Sequence, residues 1–376
     1  MSTIDKPFAY GVSVSGDNFT DRKTETRNLV MNFTHGVNTI LISQRRMGKT
    51  SLVHRAIELI DDDSVIPVFL DIYDCRDEYD FYNKFSEGII KAASSTVDAA
   101  LRNVAEFIGR ISPKISVSPD LVNEYSISLG LTPRQICPEE ILNLPERLAE
   151  KRGKHLLICI DEFQQIGEFS DSLTVQKRMR GVWQHQQNVS YCLFGSKKHM
   201  LENIFQNKRM PLYQFGQMMY LGKIGMKDWM EYIASRFEAC GKKISPEISE
   251  KLCLTVECYS SYVQQLAWNL FVETDTEATG NGLEAATGQL LAQNNSFFTE
   301  QIRTLTGYQI NFLKAVCSGI HSGFTSEKVL SEWNIGTKSN ISVIRESLLK
   351  NELIEERGNE IWLADPVFRI WLEGRL

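Results

Sequence analysis

The chain has 376 residues, 43 % of them hydrophobic, which is enough to bury large cores in two or three domains. Its net charge of −6 argues against a protein whose whole surface binds nucleic acid. Eight cysteines without a CxxC pair suggest neither a zinc site nor a disulfide framework. No secretory leader or membrane-spanning apolar run is evident, so we expect a cytoplasmic protein that does not contact a membrane.

The first predicted element is a polar amphipathic segment at residues 17–33, directly ahead of an apolar strand. It contains the run Phe19-Thr20-Asp21-Arg22-Lys23-Thr24-Glu25. In many nucleotide-dependent switches such a segment touches the adenine. A plain solvated helix explains the pattern equally well, so the sequence leaves both interpretations open.

A phosphate-binding loop is the strongest signal in the chain. Apolar residues 39–42 predict a buried strand and residues 51–60 have helical spacing, so the residues between them join a strand to a helix N-terminus. In such a loop, backbone N–H groups and the positive end of the helix hold a polyphosphate. Lys49 would reach the β and γ phosphates, the Thr50 hydroxyl would ligate Mg²⁺, and Gly48 would let the backbone approach without a Cβ. The predicted nucleotide-binding residues are Ser43, Gln44, Arg45, Arg46, Met47, Gly48, Lys49, Thr50 and Ser51.

The loop departs from the usual GxxxxGK[ST] pattern at Ser43, where the pattern has glycine. We interpret the serine as tolerated. A short GK[ST] run also arises by chance, and for this loop alone an ordinary turn between strand and helix remains the alternative.

A second strand is predicted at residues 65–73, followed by helical patterning over residues 79–110. Residues 111–133 are irregular and rich in serine and proline. They predict an inserted hairpin or mobile loop, to which no chemistry is assigned.

A partner motif for the loop lies about a hundred residues downstream. After a predicted helix at residues 138–152, the apolar run 155–160 predicts a strand that ends in the adjacent acids Asp161 and Glu162. This is a Walker B arrangement: Asp161 would hold Mg²⁺ through water, and Glu162 would polarise the water that attacks the γ-phosphate. Taken alone, a buried strand with a solvated acidic turn would explain it, but the pairing with Gly48-Lys49-Thr50 favours the catalytic interpretation.

The alternation of strands and helices predicts a parallel sheet with helices on both faces. A helix at residues 170–187 precedes a strand at 189–194, which we expect to lie between the phosphate-loop strand and the Walker B strand. Ser196 would then stand where a polar residue senses the γ-phosphate. Alternatively, its hydroxyl caps the helix predicted at residues 197–205.

The C-terminal part of the chain predicts two helical regions. Residues 227–271 predict three helices of a small lid, and after a polar break residues 283–303 predict one more. Residues 304–376 predict a winged helix, with helices at 309–318, 325–333 and 337–350 and a two-stranded wing within 353–363. Residues 303–376 contain nine basic and nine acidic side chains, so DNA binding is possible but not favoured over a protein contact.

The chain resembles the archaeal-type ATPases of the STAND branch of the AAA+ superfamily along nearly its whole length. The residues that carry the resemblance are the loop Arg45-Arg46-Met47-Gly48-Lys49-Thr50-Ser51-Leu52, the run Ile160-Asp161-Glu162-Phe163-Gln164, the run Met210-Pro211-Leu212-Tyr213, and the closing Asp365-Pro366-Val367-Phe368-Arg369-Ile370-Trp371. The resemblance implies an α/β AAA+ core at residues 1–222, a helical lid and linker at 223–303 and a winged helix at 304–376. It also implies ATP with Mg²⁺ as cofactor and ATP-dependent switching through self-association or a partner protein.

Two positions depart from the family pattern. Family members often have an arginine just after a Pro-Leu-Tyr-Gly run, whereas this chain has Tyr213-Gln214-Phe215-Gly216-Gln217. The usual Gly-x-Pro start of the last lid helix is replaced by Cys258-Tyr259-Ser260-Ser261-Tyr262. The arginine finger and the lid sensor are therefore unassigned. Arg178, Arg180 and Arg209 are candidates for contacting a neighbour's γ-phosphate, although each could be a plain surface charge. Weak sensors would make hydrolysis slow, as suits a switch.

Overall fold

The structure is a computed structural model that describes residues 6–14, 16–93, 122–123, 126–127 and 137–375. The chain divides into two compact units, one formed by Arg22–Gly222 and the other by Met1–Asp21 together with Lys223–Leu376. The chain therefore passes from one unit to the other twice, at residues 21/22 and 222/223. The domain boundaries inferred from the family resemblance stay a prediction.

The Arg22–Gly222 unit is built on a five-stranded parallel sheet. Its strands are β1 (Thr39–Ile42), β2 (Val65–Asp71), β5 (His155–Asp161), β6 (Val189–Gly195) and β7 (Gln217–Tyr220), in the order β2-β5-β6-β1-β7. The strand β6 thus lies between β1 and β5, which confirms the predicted strand order. Strands β1, β5 and β6 are buried along nearly their whole length because helices cover both faces of the sheet.

The helices of this unit alternate with the strands. They are α1 (Lys23–Thr34), α2 (Lys49–Glu58), α3 (Glu78–Ala93), α4 (Pro138–Leu142), α5 (Leu144–Arg152), α6 (Ser172–Trp183) and α7 (Lys198–Gln206), with a 3₁₀ helix at Phe163–Glu168. The single helix predicted at residues 138–152 was wrong, because the structure breaks it at Asn143. Pro145 has no N–H to continue the hydrogen-bond ladder of the first helix, and it lies in the first turn of the second helix, where no such bond is needed.

Two short strands are described within the irregular region. They are β3 (Val122–Asn123) and β4 (Ser126–Ile127), which pair antiparallel. The rest of the hairpin or loop predicted at residues 111–133, and the part of the predicted helix beyond Ala93, lie outside the described residues.

The other unit is helical, with a small hairpin ahead of its last helix. Its elements are α8 (Met226–Ala239), α9 (Pro246–Thr255), α10 (Ser260–Glu273), α11 (Gly280–Arg303), α12 (Gly307–Cys317), α13 (Glu327–Trp333), α14 (Lys338–Lys350), β8 (Ile354–Arg357), β9 (Glu360–Leu363) and α15 (Pro366–Glu373). Side-chain caps start several helices: the Ser245 hydroxyl accepts from Ile248 N, and Thr306 forms a capping box with Gln309. No helix in the described part of the chain is long and apolar enough to span a bilayer.

Hydrogen bonds join the start of the last helix, α15, to α10 of the same unit. Asp365 caps α15 by accepting from Val367 N and Phe368 N, and its other oxygen accepts a 2.6 Å hydrogen bond from the Tyr262 hydroxyl. The neighbouring Tyr259 hydroxyl donates to the Ala364 carbonyl at 2.7 Å. Two tyrosines at the start of α10 therefore hold the segment between the wing and α15.

Candidate functional site

The predicted phosphate-binding loop joins β1 to α2. Within it, Arg46 and Gly48 have φ values of 66° and 83°, the left-handed region in which glycine is favoured. An added Cβ at Gly48 would meet no heavy atom within 4 Å, so in this structure the backbone conformation, not crowding, calls for glycine there. The positive φ at Gly48 also ends the loop and lets α2 begin at Lys49.

Lys49 is buried at the start of α2, and its ammonium group lies on the loop. The Nζ atom donates to the Ser43 hydroxyl at 3.3 Å and to the Gln44 carbonyl at 3.2 Å. The Ser43 hydroxyl in turn donates to the same Gln44 carbonyl at 2.9 Å. The serine at the usual glycine position thus gives the lysine an acceptor inside the loop.

Thr50, at the start of α2, and Asp161, at the end of β5, are in direct contact. The Thr50 hydroxyl donates to Asp161 Oδ2 at 2.7 Å, and the Glu162 N–H donates to Asp161 Oδ1 at 2.8 Å. Burial raises the pKa of Asp161 to about 6 despite these two hydrogen bonds and the charge of Lys49. The negative charge of Asp161 is therefore only partly stabilised by its neighbours, and a bound cation would stabilise it further.

The oxygen ligands of this site fit Mg²⁺ bound together with a nucleotide. Mg²⁺ is usually held by one or two carboxylates together with substrate phosphates and water. Thr50 and Asp161 supply one hydroxyl and one carboxylate, whose oxygens lie 2.7 Å apart. Among the described residues no group of three or more His, Cys, Asp or Glu could hold a metal ion by itself. The arrangement therefore suits a shared metal better than a metal site made by protein alone.

Glu162 follows Asp161 in a left-handed conformation, with φ of 54°. Its Oε2 atom accepts a hydrogen bond from the Ser196 hydroxyl at 3.0 Å and another from the Gln164 amide. The structure thus brings Ser196 to the predicted catalytic carboxylate. The alternative that Ser196 caps the next helix is wrong, because Lys197 is the N-cap residue and makes no side-chain cap.

Gln164 is a site residue that the sequence did not single out for a role. It is 3 % exposed, and its Oε1 atom is buried without a hydrogen-bond partner among the described residues. A Cβ added at Gly195 would lie 1.8 Å from this Oε1, so glycine at the end of β6 leaves the space that Gln164 occupies. Its place two residues after the Walker B acids was the available signal, but its contacts depend on the neighbouring strand.

The three arginine candidates differ in their surroundings. Arg178 forms ion pairs with Glu78 at 2.9 Å and Glu139 at 3.7 Å, and the Arg180 guanidinium lies 5.8 Å from the Phe215 ring. The Arg209 side chain is exposed. Intramolecular contacts therefore engage the first two, and Arg209 is the candidate most open to a second molecule.

Solved structures of other proteins share the fold of this chain. A Walker-type ATPase of Pyrococcus abyssi superposes with a TM-score of 0.72 at 17 % identity, covering 98 % of this chain and 99 % of that one. The ORC2 protein of Aeropyrum pernix, solved in ADPNP and ADP complexes, gives 0.56 at 13 % identity over 94 % of both chains. The fold is that of an AAA+ P-loop protein with a C-terminal winged helix.

The winged helix has separate support. A family model described as "Probable winged helix domain" matches residues 296–374. The Aeropyrum pernix ORC1 protein, solved in complex with DNA, is also similar, with a TM-score of 0.50 at 13 % identity over 96 % of this chain and 94 % of that one. No curated protein sequence matches the chain significantly. At these identities the structural likeness establishes the fold alone.

Proposed function

We propose that this protein binds ATP with Mg²⁺ at the P-loop and hydrolyses it, as a nucleotide-dependent switch of the STAND type. The observation that carries the proposal is the 2.7 Å contact between Thr50 and Asp161, with Lys49 on the loop and Glu162 next in sequence. These four residues supply a phosphate ligand, two metal ligands and a base within one edge of a parallel sheet.

Each residue has a distinct task in the proposed reaction. The loop N–H groups and the Lys49 ammonium hold the phosphates and neutralise charge that develops during transfer. The Thr50 hydroxyl and the Asp161 carboxylate would hold Mg²⁺, which when bound withdraws charge from the phosphate oxygens. The Glu162 carboxylate accepts a proton from the attacking water, and the Ser196 hydroxyl lies 3.0 Å from the same carboxylate.

The contacts of Glu162 favour slow turnover until a partner acts. The Oε2 atom of its carboxylate accepts hydrogen bonds from both Ser196 and Gln164, so this oxygen is already occupied and is less available to the attacking water. A rearrangement that moves the Ser196 hydroxyl from Glu162 to the γ-phosphate would free Oε2 for the water and keep Ser196 in its predicted sensing role. We infer that a second copy of the chain or a partner protein provides this change, with exposed Arg209 as a contact to the nucleotide of its neighbour.

The winged helix is proposed to contact protein and not DNA. On α14, the helix expected to read DNA, Arg345 pairs with Glu356 of the wing at 2.8 Å. Lys338 lies 3.9 Å from Glu327. Because these cations are already matched by acids of the same domain, few of them remain to neutralise phosphates.

Phosphate release tests the proposal. Purified protein is given ATP and Mg²⁺ over a range of protein concentrations, with Glu162→Gln as the matched control. Specific activity that rises with concentration and disappears in the control supports an oligomerising ATPase. Bound ATP without phosphate release would indicate a scaffold that uses nucleotide as a structural cofactor, and not an ATPase.

A second experiment tests the rival function, a DNA-binding regulator gated by ATP. A DNA mobility shift that weakens steeply with salt would support that function.

A further inference from the structure

A buried arginine lies where the chain enters the nucleotide-binding unit. Arg22 is the first residue of that unit and is 4 % exposed. Asp21 and Arg22 both have positive φ values, 54° and 63°, although neither is glycine. Two consecutive strained residues persist only where the surrounding contacts hold them in place.

The guanidinium of Arg22 bonds three acceptors among the residues that the structure describes, all within the same unit. Its Nη1 atom pairs with Glu25 Oε1 at 3.1 Å. Its Nη2 atom donates to the Gly222 carbonyl at 2.6 Å and, more weakly, to the Met47 carbonyl at 3.4 Å. A buried guanidinium needs such partners, and its planar fork reaches several acceptors at once in a way that an ammonium group does not.

The contact at Met47 bears on phosphate binding. The peptide between Met47 and Gly48 is planar and trans, so its carbonyl and its N–H point in opposite directions. Arg22 bonds the Met47 carbonyl, so the Gly48 N–H of the same peptide points away from Arg22. A P-loop binds phosphate through such N–H groups, so the guanidinium fixes the orientation of one of the groups that the ligand needs.

The contact at Gly222 connects this peptide to the place where the chain leaves the unit. Gly222 is the last residue of the nucleotide-binding unit, and Arg22 is the first. Arg22 therefore lies in one of the two segments through which the chain passes to its other unit. Its guanidinium bonds the second of these segments, at Gly222, and the phosphate-binding loop, at Met47. A helix-starting role alone does not explain it, because Arg22 is the N-cap residue of α1 and makes no side-chain cap.

We propose that Arg22 is a positioning residue that couples nucleotide binding at the P-loop to the order of the segment around Gly222. The inference rests on the proposed function, because it requires that the loop bind a nucleotide. A phosphate that accepts a hydrogen bond from the Gly48 N–H polarises the Met47 peptide, so the Met47 carbonyl becomes a better acceptor for Arg22. The guanidinium is then more firmly positioned, and its hydrogen bond to the Gly222 carbonyl is stabilised as well. The coupling is reciprocal, so loosening Gly222 weakens nucleotide binding.

The test uses Arg22→Lys in the full chain, because lysine keeps the charge and loses the planar fork. Two variants serve as controls. Arg27→Lys makes the same change at an exposed position of α1, and Glu25→Gln removes the ion-pair partner but leaves both carbonyl contacts. We expect Arg22→Lys to weaken ATP binding about tenfold, while each control stays within about twofold of wild type.

A second readout separates coupling from a merely structural role. In the wild type, saturating ATP should slow amide hydrogen exchange in the segment 219–225. In Arg22→Lys at saturating ATP, the loop is occupied but this slowing should be lost. Retained slowing in the variant, or ATP affinity within twofold of wild type, would overturn the inference.

The outcome stays interpretable if Arg22→Lys fails to fold. Wild-type protein that binds ATP without any change of exchange at residues 219–225 also overturns the coupling and leaves the proposed function standing. Wild-type protein that binds no ATP removes the proposed function itself, and the inference with it.

Discussion

Replacing Asp161 with asparagine should stabilise the protein in the absence of nucleotide. Asp161 is 6 % exposed, and burial raises its pKa from the ordinary 3.8 to about 6. The folded protein therefore disfavours the charged form, and the nearby Lys49 offsets only part of this cost. Asparagine has no charge to bury. Its carbonyl can still accept from Glu162 N, and its amide can donate to the Thr50 hydroxyl.

The pKa change sets the size of the effect. Each tenfold change in proton affinity is about 1.4 kcal/mol, so a change from 3.8 to about 6 corresponds to about 3 kcal/mol at neutral pH. Because the folded-state pKa lies above the unfolded one, the contribution of Asp161 to stability is most favourable below pH 3.8 and is lost as the pH rises through about 6. At pH 5 the advantage of the variant should fall to about half.

Thermal unfolding of the nucleotide-free protein measures this difference. We expect Asp161→Asn to melt roughly 6–12 °C above wild type at pH 7.5, since 1 kcal/mol moves the melting temperature of a domain of this size by about 2–4 °C. Asp71→Asn is the matched control, because Asp71 lies beside Asp161 in the sheet register and is exposed. It should melt close to wild type.

Two results would refute the reasoning about Asp161. One is a variant that melts at or below wild type at pH 7.5, and the other is a gain that is equal at pH 5 and pH 7.5. Mg²⁺ with ATP provides a further check. It should raise the melting temperature of wild type more than that of Asp161→Asn, because the variant lacks the carboxylate that we propose binds the metal.

Three further predictions concern other parts of the molecule. Glu162→Gln should bind ATP within about threefold of wild type and release phosphate at least a hundredfold more slowly; wild-type turnover would remove Glu162 from its role. Ser196→Ala should lower phosphate release about tenfold with little change in ATP affinity, and an effect on affinity alone would contradict this. Tyr262→Phe should lower the free energy of unfolding by about 1–2 kcal/mol in urea, because Asp365 loses a buried partner, whereas Tyr308→Phe at an exposed position should not.

Local patterns in the sequence predicted most of the sheet and the winged helix. The strand Thr39–Ile42 matches its predicted bounds, because a short apolar run followed by a phosphate loop leaves little choice of register. The helix Lys338–Lys350 begins one residue from its predicted start and ends at the predicted residue. In these segments, local spacing and tertiary burial favour the same structure.

The errors arose where local pattern and tertiary contact differ. The strand Gln217–Tyr220 was not predicted, because its four residues have little alternation and it is defined by pairing with β1. The break at Asn143 was not predicted, although Pro145 was the available signal, because proline is favoured in the first turn of a helix and not in its interior.

The site was predictable as a set of residue types and not as a network. Lys49, Thr50 and Asp161 lie in motifs whose spacing indicates the phosphate and metal binding that we propose for them. The hydrogen bonds of Arg22 to Met47 and Gly222 join residues far apart in sequence, so no local sequence pattern predicts them. Gln164 likewise depends on the space left by Gly195 on the adjacent strand.

Equilibrium binding of ATP with Mg²⁺ to wild type and Lys49→Ala tests the central claim most directly. Calorimetric titration gives both affinities, and circular dichroism verifies that the variant is folded. The account predicts that Lys49→Ala weakens ATP binding at least a hundredfold, about 3 kcal/mol, because the ammonium that holds the phosphates is gone. Unchanged ATP affinity in a folded Lys49→Ala protein would contradict the assignment of the P-loop as the nucleotide site.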